Sequence, residues 1–153
     1  MPTSSPNPPP PSEKSSSERS QESDPSPPTL ERGIREFNSG AFYTCHDTLE
    51  AIWMEAEASE KPFYQGILQI AVAFYHLGNL NWRGGAILMG EGISRLGRFE
   101  PSHHDVQVED LVDQAVAWLE LIQTAGADGL EALMKAPPIA LPQVRMLQDA
   151  AND

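Results

Sequence analysis

The sequence predicts an all-α fold, a single compact bundle of four to five helices that follows a disordered N-terminal tail rich in proline and serine. Apolar residues recur at helical spacing through most of the chain after residue 29. No segment alternates between apolar and polar residues with the period of two that is typical of a half-buried strand. These two observations favour helices packed on helices around one core.

Composition divides the chain into three parts. Residues 1–29 hold nine of the fourteen prolines and also nine serines, so this segment cannot bury enough apolar surface to offset the entropy of ordering it. We therefore predict a disordered tail over residues 1–29 and a helical-bundle domain over residues 30–136. Prolines at positions 137, 138 and 142 predict extended chain in a C-terminal extension, residues 137–153.

The first two helices are predicted from a cap and from an apolar stripe. Thr29 is a suitable N-cap for a short helix through Phe37, because its hydroxyl can accept a hydrogen bond from the first turn. A second helix is expected from Phe42 to about Ala58. Its apolar residues fall on one stripe, which comprises Phe42, Cys45, Leu49, Ile52, Trp53 and Ala56.

Three further helices are predicted from similar signals. Pro62 is tolerated only in a first turn, so it places the start of a third helix that Gly78 ends. A fourth helix, over residues 84–99, has five glycines within or beside it. Each interior glycine costs about 1 kcal/mol, so this helix requires close packing in compensation. The fifth is expected to begin near Asp105 and to end at Gly126, with a short helical turn at residues 129–135.

Charge and cysteine content limit the classes of partner. The net charge of −12 argues against nucleic acid and anionic membranes, because the chain lacks the basic stripe from which counterion release is gained. A membrane span is not expected, since polar residues interrupt the longest uncharged segment. Cys45 is the one cysteine of the sequence, which excludes an internal disulfide and fits a reducing compartment. We therefore expect a cytoplasmic protein.

A polar stripe inside an uncharged segment is the most informative feature. Residues 62–82 contain no Asp, Glu, Lys or Arg, yet Gln65, Gln69 and His76 recur in them at helical spacing. A buried amide or imidazole without a hydrogen-bond partner costs roughly 1–3 kcal/mol, so another segment must supply partners. The second helix offers His46 and Glu50, which share one face. The candidate polar cluster comprises Tyr43, His46, Asp47, Glu50, Trp53, Tyr64, Gln65, Gln69 and His76.

Three interpretations of this cluster stay open. It can be a structural hydrogen-bond network in which Glu50 holds the tautomer of His46. It can be a divalent metal site formed by His46, Glu50 and His76, a set of two histidines and one carboxylate that suits iron or zinc. It can also be a pocket for metal-free acid–base chemistry or a small ligand, with His46 and Glu50 as the candidate catalytic residues. We predict no cofactor, although a divalent metal fits the second interpretation.

Two blocks of this sequence resemble the signatures of a known family, domain of unknown function 309. The first block is Phe37-Asn38-Ser39-Gly40-Ala41-Phe42-Tyr43, followed by His46-Asp47, Leu49-Glu50 and Trp53. The second is Phe63-Tyr64-Gln65-Gly66 with Gln69, Ala71 and Phe74-Tyr75-His76. The similarity extends from about Leu30 to Leu141. It implies a small helical-bundle domain with no established activity.

Two other groups favour structural roles. The His103-His104-Asp105 stretch is better explained as a solvated loop and helix cap than as a metal clip, because adjacent side chains diverge. Cys45 is expected to be a small buried residue, since helical neighbours point about 100° apart and Cys45 cannot face the His46 imidazole.

The expected function is that of a soluble, non-catalytic module that binds an unknown small molecule or a partner protein. A glycine-rich fourth helix allows a homodimer. The alternative is a metal-dependent hydrolase or oxygenase that uses His46, Glu50 and His76.

Overall fold

The computed structural model describes residues 27–147, and within them helices dominate. The helices are α1 (Leu30–Asn38), α2 (Phe42–Glu55), α3 (Lys61–Gly78), α4 (Trp82–Leu96) and α5 (Val108–Lys135). A 3-10 turn (Gly97–Phe99) and two short strands, β1 (Ser102–His103) and β2 (Val106–Gln107), connect α4 to α5. The all-α prediction is therefore confirmed. The disordered tail predicted for residues 1–29 lies almost wholly outside the described residues.

Local signals set the ends of the first two helices. The Thr29 hydroxyl accepts a hydrogen bond from the backbone N–H of Arg32 at 3.1 Å, as expected for an N-cap. Gly40 follows α1 with a φ of 82°, a conformation that glycine adopts without steric cost. α2 ends at Glu55, three residues before the predicted end. There the Lys61 Nζ donates to the Trp53 carbonyl oxygen at 2.8 Å, which helps to satisfy the helix end.

Close packing of α3 against α4 explains the glycines of α4. A Cβ at Gly92 would lie 2.8 Å from the Gly66 carbonyl oxygen and 2.7 Å from Ile70 Cγ1. A Cβ at Gly85 would overlap the side chain of Leu77. The two helices approach this closely only because no side chain stands between their backbones. This contact is the compensation that the glycine content of α4 required.

The buried core draws on all five helices and on the segment that follows α5. α3 contributes Phe63, Ile67, Ile70, Ala71, Ala73, Phe74 and Leu77, and α5 contributes an equal number of buried apolar side chains. Trp118 of α5 is fully buried, and its indole N–H donates to the Ala140 carbonyl oxygen at 2.9 Å. Val144 is also part of the core. The described part of the C-terminal extension therefore packs against the bundle.

α5 is longer than predicted because the helix resumes after an interruption. It begins at Val108 and passes Gly126, whose φ of 69° and ψ of 174° break the helical backbone. The glycine that was expected to end the helix thus forms a kink. The short helical turn predicted at residues 129–135 is the last part of α5. Among the helices of residues 27–147, none combines the length and apolar character that a membrane crossing needs.

A small hairpin before α5 differs from the prediction. β1 and β2 are antiparallel, with Ser102 opposite Gln107 and His103 opposite Val106. His104 and Asp105 form the turn, with φ angles of 50° and 63°. Asn and Gly are the usual residues at such positions. Because the strands have two residues each and the turn lacks glycine, neither periodicity nor turn composition indicated a hairpin.

The C-terminal extension ties this hairpin to α1. The Asn38 side chain accepts from the Val144 N–H at 2.7 Å and donates to the Val144 carbonyl oxygen at 3.0 Å. Farther along, the Gln107 N–H donates to the Arg145 carbonyl oxygen, and the Leu147 N–H donates to the Asp105 carbonyl oxygen, both at 2.8 Å. These bonds fix the hairpin relative to the bundle. The domain boundaries drawn from composition stay predictions.

Candidate functional site

One side of α2 carries four of the predicted site residues, and we call this surface the α2 face. It comprises Tyr43, His46, Asp47 and Glu50. The His46 Nδ1 lies 3.2 Å from Asp47 Oδ1. One ligand atom from each of His46, Asp47 and Glu50 lies within 4.8 Å of the other two. Helix geometry brings His46 and Glu50 together, because residues four apart are neighbours on the surface of a helix.

The α2 face is open to solvent, which differs from the buried cluster that was predicted. Asp47 and Glu50 are exposed, and the His46 side chain keeps 24% of its accessible surface. The buried positions of α2 are Cys45, Thr48 and Leu49. The apolar stripe therefore lies as the sequence indicated, but it turns the carboxylates toward water.

Two tyrosines form an aromatic ledge beside these carboxylates. The Tyr43 ring centroid lies 5.6 Å from that of His46, nearly parallel to it, and 5.0 Å from that of Tyr75 on α3. Tyr75 is 42% exposed. It also borders an apolar groove of about 370 Å³, whose lining comprises Gly40, Phe42, Phe74, Tyr75, Gly78, Asn79, Met134 and Leu141. Tyr75 thus joins an acidic surface to an apolar one.

Gln69 has partners other than those expected. The amide is 7% exposed, and its Nε2 donates to Glu91 Oε1 at 3.0 Å. Its Oε1 accepts a hydrogen bond from the Arg95 Nε at 2.9 Å. Both partners belong to α4, whereas the sequence suggested partners from α2. For Gln69 the structure therefore supports a structural network, formed between α3 and α4.

His76 lies apart from the α2 face group. Asn81 Nδ2 donates to His76 Nδ1 at 3.3 Å, and the imidazole packs against Gly84 at the start of α4. Burial lowers the pKa of His76 below its usual 6.5. The three residues whose ligand atoms converge on α2 do not include His76. The structure therefore does not assemble the predicted metal set of His46, Glu50 and His76.

The other predicted residues occupy different surroundings. Trp53 is half-buried at the end of α2, with the Lys61 Nζ 4.3 Å from its ring centroid. Tyr64 and Gln65 are half-buried in the first turns of α3. Burial, with a smaller contribution from the Glu60 carboxylate, raises the pKa of Tyr64. The nine residues thus lie in several places, and their role in binding stays a prediction.

Cys45 faces the interior of the bundle. It is fully buried, and burial raises the pKa of its thiol from 9.0 to about 12, with the Glu36 carboxylate adding to the effect. A thiol that stays protonated at neutral pH is a poor nucleophile. The prediction of a small buried residue is confirmed.

Sequence reasoning missed one convergence of ligand-type side chains. The Nε2 atoms of His103 and His104 lie 2.8 Å and 2.9 Å from the same oxygen, Glu60 Oε1. Adjacent side chains were expected to diverge, but the positive φ of His104 turns its imidazole toward the same oxygen that His103 contacts. The adjacent histidines were the only visible signal. No pattern linked them to Glu60, more than forty residues earlier.

Comparison with known proteins identifies part of the chain. A family model described as Domain of unknown function (DUF309) matches residues 30–88. This segment comprises α1, α2, α3 and the start of α4, and it contains both signature blocks. No curated protein and no solved structure matches the chain. The similarity suggested by the sequence for residues 89–141 stays a prediction.

Proposed function

Residues 30–88 are a DUF309 match, and from that premise we propose that the domain is a non-catalytic module that binds a basic segment of a partner protein. The contact surface is the α2 face together with the apolar groove beside Tyr75. One observation carries the proposal. Two exposed carboxylates, Asp47 and Glu50, stand next to an imidazole and an aromatic ledge on one side of the bundle.

Charge and ring geometry both favour a cationic group at this surface. Lysine and arginine side chains are attracted to carboxylates and to the faces of aromatic rings, and the two attractions add when the groups are adjacent. The net charge of −12 extends this attraction beyond the contact itself and speeds the encounter with a basic partner.

The neighbouring groove gives the surface a second kind of contact. Its volume of about 370 Å³ is bordered by rings and aliphatic side chains, among them Phe42, Phe74 and Leu141. An apolar side chain next to a lysine or arginine in the partner would enter this groove while the basic group meets Asp47 and Glu50. The proposed ligand is therefore a segment that is both basic and apolar.

The alternative function, a metal-dependent hydrolase or oxygenase, has less support. It requires His46, Glu50 and His76 around one ion. The His76 imidazole instead contacts Asn81 and Gly84 at the start of α4. The carboxylates of the α2 face are also exposed, so no dry cavity surrounds them.

A titration with small probes tests the proposal. Isotope-labelled protein is titrated with Nα-acetyl-lysine methylamide and, in parallel, with the uncharged Nα-acetyl-norleucine methylamide, and amide shifts are followed by NMR. We expect weak, saturable binding of the lysine probe, with the largest shifts near Tyr43, His46 and Tyr75. Added salt should weaken this binding, because the interaction is between exposed charges.

A pair of double variants provides the matched control. Asp47→Asn with Glu50→Gln should abolish the selective shifts, because it removes both carboxylates of the α2 face. Glu55→Gln with Glu57→Gln changes the net charge by the same amount at exposed positions near the C-terminal end of α2. This variant should keep the selective shifts. Equal shifts with both probes, or an unchanged response in the first double variant, would contradict the proposal.

A further inference from the structure

Glu60, His103 and His104 form a cluster that is separate from the α2 face, and we call it the hairpin cluster. Both imidazole Nε2 atoms lie within hydrogen-bond distance of Glu60 Oε1, at 2.8 Å and 2.9 Å. One ligand atom from each of the three residues lies within 4.8 Å of the others. The cluster joins the turn between α2 and α3 to a hairpin more than forty residues later.

The backbone of the hairpin holds the two imidazoles in place. His103 ends β1, and His104 begins the turn with a φ of 50°. This left-handed conformation costs a non-glycine residue free energy and persists only where surrounding contacts impose it. Here it turns the His104 side chain toward the same side as His103. β2 and the turn are held in turn by backbone bonds to the C-terminal extension.

Aromatic side chains form a floor under the cluster. The Phe63 ring centroid lies 4.8 Å from that of His103 and 5.6 Å from that of His104. The ring centroid of Phe99 lies 4.7 Å from that of His103, and the Tyr64 ring stacks on the His104 imidazole with a centroid distance of 6.2 Å. Phe63 is fully buried. The floor restricts both imidazole rings and keeps water from one side of the cluster.

The opposite side of the cluster is open. The side chains of Glu60, His103 and His104 retain 31%, 27% and 44% of their accessible surface. An ion placed between the three ligand atoms would thus be held by the protein on one side and would meet solvent on the other. Such an arrangement leaves a coordination position for water or a small ligand.

We propose that the hairpin cluster binds one divalent transition-metal ion of the zinc class, with His103 Nε2, His104 Nε2 and a Glu60 carboxylate oxygen as the protein ligands. Two imidazole nitrogens and one carboxylate are a donor set that zinc and its neighbours prefer. Magnesium and calcium prefer sites built from oxygen and are disfavoured here.

The distances support this assignment. Zinc binds imidazole nitrogen and carboxylate oxygen at about 2.0–2.2 Å, so two ligand atoms at a tetrahedral angle lie about 3.3 Å apart. The nitrogen-to-oxygen distances of 2.8 Å and 2.9 Å are about 0.4–0.5 Å shorter. Small side-chain rotations are therefore enough to admit the ion. Binding through Nε2 would require each neutral imidazole to carry its proton on Nδ1, so a proton on Nε2 would move to Nδ1 by way of solvent.

The site goes beyond the proposed partner-binding function and depends on none of its residues. His103 and His104 lie outside the segment that matches the family model, whereas Glu60 lies inside it. The bound ion would link that segment to the hairpin. Its effect is thus expected in stability as well as in binding.

Metal titration of the untagged full chain tests the proposal. After chelator treatment, the protein is titrated calorimetrically with Zn²⁺, and binding of Co²⁺ is followed by visible absorption. We expect one ion for each chain, an intense Co²⁺ spectrum typical of four-coordination, and a higher unfolding temperature with Zn²⁺. Mg²⁺ at the same concentration should produce no effect.

The ligand variants decide whether the ion is at this cluster. His104→Asn carries the test, because asparagine tolerates a positive φ and should keep the hairpin folded. It and Glu60→Gln should each weaken Zn²⁺ binding at least tenfold and abolish the thermal shift. His46→Asn, in the other cluster, and Glu57→Gln, in the same turn as Glu60, should bind Zn²⁺ as the unmodified chain does. Absence of stoichiometric binding, unchanged affinity in a folded His104→Asn variant, or loss in His46→Asn would overturn the proposal.

Discussion

The α2 face and the hairpin cluster contain similar side chains but are built in different ways. On α2, His46, Asp47 and Glu50 are brought together by the spacing of a single helix, and the carboxylates extend into water. In the hairpin cluster, two adjacent histidines contact one carboxylate oxygen of the distant Glu60 directly, above a buried phenylalanine. Helical spacing thus produces proximity, whereas tertiary packing produces fixed geometry. We expect the first surface to adapt to a ligand and the second to select one.

α3 connects the two places. Phe63 and Tyr64 at its start lie under the hairpin cluster, and Tyr75 near its end forms part of the aromatic ledge. Variants of α3 and of α4, which packs against it, can therefore distinguish the stability that both sites draw from the shared helices from the stability that is local to each site.

The largest expected difference concerns the two aromatic supports. Phe63→Ala should lower the free energy of unfolding by about 3–5 kcal/mol, because it removes a fully buried ring. Tyr75→Ala should lower it by about 1 kcal/mol or less, since Tyr75 is 42% exposed. Urea unfolding of both variants measures the difference. Equal losses of unfolding free energy would contradict the difference in burial between Phe63 and Tyr75.

The shared scaffold is tested by two glycines of α4. Gly92→Ala should destabilise the protein by roughly 1–3 kcal/mol, because the new Cβ would meet the Gly66 carbonyl oxygen at 2.8 Å. Gly90→Ala has nothing within 4 Å of the new Cβ and should stabilise α4 by about 0.5–1 kcal/mol. Thermal unfolding followed by circular dichroism gives both values. The same sign for the two variants would refute the close approach of α3 and α4.

Replacing aspartate by glycine should change stability in opposite directions in the hairpin turn and on the α2 face. Asp105→Gly should raise the free energy of unfolding by about 0.5–1 kcal/mol, because Asp105 has a φ of 63° in the hairpin turn. Asp47→Gly should lower it by about 0.3–0.5 kcal/mol, since glycine is less favourable than aspartate inside α2. Denaturant midpoints distinguish the two outcomes. A destabilised Asp105→Gly variant would show that the aspartate side chain, rather than its backbone, holds the turn.

The smallest expected effect is a pH dependence of the metal-free hairpin cluster. Hydrogen bonds from His103 and His104 lower the pKa of Glu60 below its usual 4.5. Because the pKa is lower in the folded state, the stabilisation is present above pH 4.5 and is lost as the pH falls through the folded-state pKa. An NMR titration of the Glu60 carboxyl carbon measures this shift. Replacing both histidines by alanine should return the pKa toward 4.5, and an unchanged midpoint would contradict the two hydrogen bonds.

The sequence predicted the helices more fully than it predicted the site. Periodicity and the Thr29 cap located α1, α2 and α3 to within a few residues, because these signals act over one or two turns. The same periodicity placed His46 and Glu50 on one face. It could not determine that Gln69 would turn toward Glu91 and Arg95, since the rotation of α3 is set by the glycine contact with α4.

The hairpin cluster was beyond sequence reasoning for a different reason. Its geometry depends on the positive φ of His104 and on the tertiary fold, which brings the hairpin next to Glu60. Neither hydrophobic pattern nor turn composition encodes these two facts. A contact between residues far apart in sequence requires the fold itself, whereas a contact within one helix requires only the spacing.

The bonds between the hairpin and residues 145–147 have a consequence for the order of assembly during synthesis. The matched family segment leaves the ribosome before the hairpin, and it already contains α2 and α3, the two helices that frame the α2 face. The backbone hydrogen bonds between the hairpin and residues 145–147 can form only after Leu147 has emerged. A nascent chain would therefore expose the carboxylates of the α2 face before the bonds from residues 145–147 can fix its pair of adjacent histidines.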